Sequence, residues 1–197
     1  VAAHITESDI VGAVGGTNLP AVVAFRDGYI NGAKSVNPDV EVLYVESDPV
    51  PEIGFNDPER GAEIAGQMLD LGADVIFQIA GGTGVGALTA ACDAGAYGIG
   101  VDVDQSKSLP PEAANCVVTS AEKKLQDTVN TVIQSSQDGS FQPGVVVYDL
   151  SSDPPGVGIS PFQEQYADLL TDEMQADLDA AVAGMLDGSI DPAAATE

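Results

Sequence analysis

The run Gly82-Thr83-Gly84-Val85-Gly86-Ala87 follows an apolar stretch, Val75 to Ala80, and Asp102 ends the next apolar stretch twenty residues later. Glycines after a strand let backbone approach a ligand closely. The amides of a helix start attract anions, and an acid at a strand's end can accept hydrogen bonds from a sugar diol. The spacing is formally the dinucleotide fingerprint G-x-G-x-x-[GA]. It falls at the third strand of this chain, whereas the fingerprint normally opens its fold at the first. A tight structural turn and a site for an uncharged polar ligand are the other two readings. Asp102 would take ligand hydroxyls or cap the following loop. Lys123 would donate to ligand oxygens, pair with Asp102, or stand solvated on a helix. Phe55, an aromatic on a polar loop, would stack on a ligand ring or anchor its own loop. Asp104 and Gln105 read as loop organisers.

Other chemistries lack their residues. The chain holds one histidine, His4, in a start that reads as disordered, and two cysteines, Cys92 and Cys116. That set makes no zinc site and no Cys–His or Ser–His pair. No catalytic residue, metal ligand or cofactor is expected. Cys92 falls on a helix and Cys116 opens a strand. Two buried thiols are the expectation, with a disulfide as the alternative in an oxidising compartment.

Six basic residues face 31 acids, for a formal charge of −25. Nucleic acid and anionic membrane surfaces would be repelled, so neither is an expected partner. The acids are dispersed and form no calcium-loop pattern, which points to a solvated acidic surface. An apolar content of 44% over 197 residues is that of a globular chain with one large domain. No apolar run is long enough to span a membrane, and Val1-Ala2-Ala3-His4 does not read as a secretion leader.

Alternating strands and helices must position these residues. The pattern predicts strands at 10–14, 40–45, 74–79, 97–101 and 116–119. It predicts helices at 19–36, from Asp57-Pro58 to Leu71-Gly72, and at 84–95. A polar loop covers 46–56, and Ser120 is read as the cap of a further helix to about 136. A strand at 144–150, a loop at 151–156 and an acidic helix at 171–187 follow, with 193–197 frayed. The alternation implies an α/β fold: a doubly wound parallel sheet in the flavodoxin-like order 2-1-3-4-5. Phe55, the glycine turn and Asp102 then share its carboxyl edge, where such sheets bind ligands.

Several segments taken together resemble a known family. They are Val14-Gly15-Gly16 with Pro20 and Phe25 to Tyr29, then Gly72 to Phe77, Ala80 to Gly84, Ile99 to Gln105, and Thr119 to Lys123. The chain resembles the basic membrane protein family, substrate-binding lipoproteins of ABC transporters typified by purine nucleoside receptors. The resemblance covers residues 1 to about 190 and implies a type I periplasmic-binding-protein fold, two lobes closing over a nucleoside. Phe55 then matches a base-stacking aromatic, and Gly81, Gly82, Thr83 and Gly84 match the turn facing the ribose. Asp102 matches the acid that takes ribose hydroxyls, with Lys123 beside it. The implied partners are the nucleoside and an ABC permease, in an extracytoplasmic, lipid-anchored setting. Family members carry a further lobe ahead of the strand at 10–14. Residues 1–120 are accordingly expected to be one ligand-binding lobe, 121–143 a crossover helix toward the other, and 144–197 a returning strand and C-terminal helix. The surface left open is expected to permit self-association.

Overall fold

The computed structural model describes residues 1–194. In chain order the elements are α1 (Ala2–Ile5), β1 (Ile10–Gly15), α2 (Pro20–Val36), β2 (Glu41–Glu46), α3 (Pro51–Gly54), α4 (Pro58–Asp70), β3 (Val75–Ile79), α5 (Gly81–Asp93) and β4 (Tyr97–Asp102). They continue with α6 (Gln105–Ser108), α7 (Pro111–Ala114), β5 (Val117–Lys123), α8 (Leu125–Asp138), β6 (Val157–Ile159) and α9 (Asp172–Asp187). The strands form one sheet in the order 2-1-3-4-5-6. All pairs are parallel except β5 with β6. The expected doubly wound sheet is therefore present, with one antiparallel strand added at its edge.

The apolar strands run almost without polar interruption because helices cover both faces. On β3, Val75, Phe77 and Ile79 enter the cluster beneath α2 and α9, while Ile76 enters the cluster beneath α4 and α5. Phe77 meets the rings of Phe25 and Tyr29 at centroid distances of 6.3 and 5.0 Å. Truncating such a ring to alanine costs about 3–5 kcal/mol. The α4 start follows its sequence signal: the Asp57 carboxylate accepts the Arg60 amide at 3.0 Å, with Pro58 as the first helical residue. Gly72, at φ +100°, turns the chain out of that helix into β3.

Several expectations are corrected. Ser120 caps no helix. It lies in β5, its hydroxyl accepts the Gln105 amide, and its own amide donates to the Ser160 hydroxyl. Pairing of Ala121 and Glu122 with β4, and of Ala121, Glu122 and Lys123 with β6, carries β5 on to Lys123, so α8 starts only at Leu125. The predicted strand at 144–150 is not a strand: Val145 is 98% exposed, and the last strand is β6. An extended apolar run stays in a sheet only beside a partner, and no strand among the described residues flanks this one. The loop at 46–56 contains α3, and α5 begins at Gly81, inside the glycine run. His4 sits in α1, with Nε2 3.0 Å from the Asp177 carboxylate of α9. Cys92 and Cys116 are joined as a disulfide between α5 and the residue preceding β5, so the expected free thiols are absent. Of the predicted frayed end, Ala193 and Ala194 are held by bonds to Asp191, and 195–197 lie outside the described residues.

Candidate functional site

Each candidate residue stands at the carboxyl edge of the sheet or on the loop beside it. Phe55 follows α3. Its ring lies against Gly16, where any Cβ would overlap it, and its Cβ is 3.6 Å from where a Cβ of Gly81 would stand. The Phe55 carbonyl accepts the Thr83 amide at 3.3 Å. The aromatic is thus fixed to both β1 and the first turn of α5, and stays partly exposed.

The glycine run divides into two uses. Gly81 is exposed and adopts φ +54°, a conformation that suits glycine, while Gly82 is half-buried. Thr83 is fully buried, and its hydroxyl accepts the Asp57 amide at 2.8 Å. A Cβ at Gly84 would overlap the Gln78 carboxamide, and one at Gly86 would overlap the Pro58 carbonyl. The fingerprint spacing is accounted for by close packing of α5 on α4 and β3. Backbone open to a ligand is confined to Gly81 and Gly82.

Asp102 ends β4 at φ +69°, one of two non-glycine residues with positive φ among those described. Such a conformation costs about 1–3 kcal/mol and clusters at binding sites. Lys123, at the end of the neighbouring β5, places Nζ 2.8 Å from Asp102 Oδ1. Oδ1 is shielded from solvent, yet the side chain is 50% exposed, so Oδ2 is the oxygen open to a ligand. Nζ also stands 5.0 Å from the centroid of Phe25. Asp104 is turned away from this pair to Lys107, 2.7 Å off. Burial works to raise the Asp104 carboxyl, but its bonds to Lys107 and Ser106 outweigh that and hold it below the usual range.

The structure brings Phe55, Gly81 and Gly82 together as one group and Asp102 with Lys123 as another. Thr83 and Gly84 lie behind them. Neighbouring strands β3, β4 and β5 join the two groups, through Gln78 and Gln105 beneath the surface. The role of Gln78 escapes a reading by motif; its one signal is a lone polar residue within the apolar run of β3. Two cavities of about 490 and 620 Å³ lie elsewhere, beside α9, with mostly apolar linings that include Phe25, Leu178 and Ala181. Polar groups also line them, His4 and Asp177 in the first and Glu122, Gln175 and Asp179 in the second, whereas the sheet edge sets an exposed glycine turn beside a carboxylate–ammonium pair.

Residues 1–182 match the model of the Bmp family, described as ABC transporter substrate-binding protein PnrA-like. The chain belongs to this family. It is 30% identical over 205 residues to the ABC transporter nucleoside-binding protein BmpA of Lactococcus lactis, covering 96% of this chain and 54% of that protein. It is 37% identical over 134 residues to basic membrane protein A2 of Borrelia garinii, covering 66% of this chain and 36% of the relative. Among solved structures, an ABC transporter solute-binding protein from Conexibacter woesei superimposes with a TM-score of 0.77 at 26% identity, over 97% of this chain and 59% of that one. The chain thus spans about half, or less, of the length of these curated relatives.

Proposed function

We propose that this chain is one lobe of the solute-capturing component of an ABC importer, and that the solute is a nucleoside held between this lobe and another. The observation that carries the reading is the Asp102–Lys123 pair, at 2.8 Å, on the same sheet edge as the exposed Gly81. Asp102 Oδ2 accepts ribose hydroxyls, Lys123 donates to the same oxygens, and Gly81 and Gly82 offer backbone groups. Phe55 stacks on the base. The relative from Lactococcus lactis, named as nucleoside-binding, supports this ligand class. The reading contains no reaction. It implies an ABC permease as partner and an extracytoplasmic, lipid-tethered setting.

The second lobe is proposed from the excursion between β5 and β6. The chain leaves the sheet after Lys124 and returns at Gly156, whose carbonyl accepts the Lys124 amide at 2.8 Å. In between, α8 buries no residue, although Leu125, Val129, Val132 and Ile133 make an apolar stripe along it. Val145 to Val147 are likewise exposed. Such a surface suits burial against a further lobe; without one, it is where copies of this chain would self-associate.

Calorimetry and thermal melts test the reading. A protein carrying both lobes should be stabilised by nucleosides, less by their monophosphates, which the net charge of −25 repels, and not by NAD. Stabilisation by NAD alone would reverse the assignment. The 197-residue chain by itself should bind nucleosides weakly, because one open wall leaves much of a ligand wet, whereas small-molecule sites bury about 70–90% of it. Equal, tight binding by both proteins would overturn the two-lobe arrangement.

A further inference from the structure

A chain of buried hydrogen bonds runs beneath the proposed site and ties its three strands together. Gln78 of β3 is fully buried, and its Oε1 accepts the Ala80 amide at 3.0 Å, one residue before the Gly81 turn. Its Nε2 donates to Gln105 Oε1 at 2.6 Å. The same Gln105 oxygen accepts the Val101 amide at 2.9 Å, one residue before Asp102. The Gln105 amide donates to Ser120 Oγ at 3.0 Å, on β5, three residues ahead of Lys123. The backbone amides of Ala80 and Val101 each need an acceptor, which fixes the orientation of both carboxamides. Two glycines clear the space. A Cβ at Gly84 would overlap the Gln78 carboxamide, and one at Gly100 would fall 2.8 Å from Gln105 Oε1.

We infer that Gln78 and Gln105 are positioning residues for sugar recognition: they set the glycine turn and the Asp102 carboxylate at the separation a ribose diol requires. The inference rests on the nucleoside reading above and deepens it. Asp102 holds a left-handed backbone, uncommon outside glycine although aspartate tolerates it better than most residues. The Gln105 oxygen on the Val101 amide constrains it from one side. From the other, the Val103 amide donates to the Val101 carbonyl at 2.8 Å. With the Gln105 carboxamide gone, the residue before Asp102 loses its anchor, and so does its tie to the turn. Buried networks of this kind act through geometry, since the bonds that join Gln78, Gln105 and Ser120 hold the strands without calling on the ligand.

The test compares a nucleoside with its 2′,3′-dideoxy analogue on the two-lobed protein by calorimetry. The parent should prefer the nucleoside by ten-fold or more. Gln105→Met and Gln78→Met keep length and volume but remove the amides. Each should cut that preference at least five-fold, while affinity for the dideoxy analogue changes less than two-fold. A purely structural role would lower both affinities together or move only the melting temperature, and that result overturns the inference. So does an undiminished preference. If the methionine variants do not fold, Ser120→Ala removes only the acceptor for the Gln105 amide and should narrow the preference about two- to three-fold; an unchanged preference there also overturns the inference. A parent that binds no nucleoside, or shows no preference, defeats the nucleoside reading itself and this inference with it.

Discussion

Lys123 Nζ stands 2.8 Å from Asp102 Oδ1 and 5.0 Å from the centre of the Phe25 ring, so one cation is held by a carboxylate and an aromatic face at once. Both charged side chains are partly exposed, and such an ion pair adds at most about 1 kcal/mol to stability. An open Asp102 Oδ2 and a strained Asp102 backbone make more sense as a prepared acceptor than as a stabilising contact.

Asp102→Ala in the two-lobed protein is therefore expected to lower nucleoside affinity by about 2–3 kcal/mol, the scale of hydrogen bonds to a charged group. The dideoxy analogue should lose a similar amount on the parent and little more on the variant. Calorimetric affinity unchanged by the substitution would remove Asp102 from the site. Folding stability should fall only modestly, since alanine gives up a surface ion pair and tolerates the positive φ less well than aspartate.

The glycines of α5 and α4 give a contrast that stability measurements can read directly. Gly84→Ala drives a methyl into the Gln78 carboxamide and should destabilise by about 1–3 kcal/mol. Gly66, in α4, has open space around the position of a Cβ. Gly66→Ala should stabilise by about 0.4–1 kcal/mol through the unfolded chain. Urea midpoints of the two variants moving in the same direction would contradict the packing role assigned to the fingerprint spacing.

The disulfide between Cys92 and Cys116 closes a loop with a sequence separation of 24. Closing a loop of that size stabilises by about 3 kcal/mol in the chain-entropy account. Replacing both cysteines with serine, or adding reductant, should lower unfolding free energy by that amount and steepen the urea dependence, because the unfolded chain expands once the cross-link is gone. A loss under about 0.5 kcal/mol would mean that the reduced chain keeps the α5 and β5 ends together unaided.

How far the sequence discloses this molecule depends on the range of the forces that shape each part. Strands such as 74–79 declare themselves because both faces are covered and the apolar run is unbroken; Asp57-Pro58 and Gly72 mark the ends of α4 by local rules. The sheet-edge logic also brought Asp102 and Lys123 to the same place. The failures are non-local. The β5 strand continues past Ser120 because Val101 and Asp102 of β4 pair with it on one side and residues 157–159 on the other, partnerships that nothing near Ser120 signals. Val145 to Val147 have the composition of a buried strand and, among the described residues, stay exposed. Joining Cys92 to Cys116, or Gln78 to Gln105, requires distances that emerge only after β3, β4 and β5 have aligned. The glycine run misleads for another reason: close approach to a ligand and close approach to a neighbouring helix demand the same residue.

Alkaline stability offers a last test, through two of the five tyrosines. Tyr29 directs its hydroxyl to the Gly12 carbonyl at 3.4 Å, and burial pushes its ionisation well above the ordinary value of 10.0. Burial, then the nearby Glu46, pushes Tyr44 up to about 12, against the partial opposition of Arg26, whose guanidinium lies 5.5 Å from the ring centre. Both shifts favour the neutral phenol in the folded state. The unfolded chain releases these protons near pH 10 while the folded protein keeps them, so the unfolded state binds fewer protons above that point and stability falls with rising pH. The stabilising difference is complete below about pH 10 and is lost from there through about 12, where Tyr44 itself ionises. Ultraviolet titration of the folded chain should show part of the phenolate absorbance missing at pH 11 and recovered in denaturant. Tyr44→Phe should shrink the missing fraction and flatten the loss of stability between pH 10 and 12. A full complement of phenolate at pH 11 in the folded protein would show that neither hydroxyl is shielded from solvent.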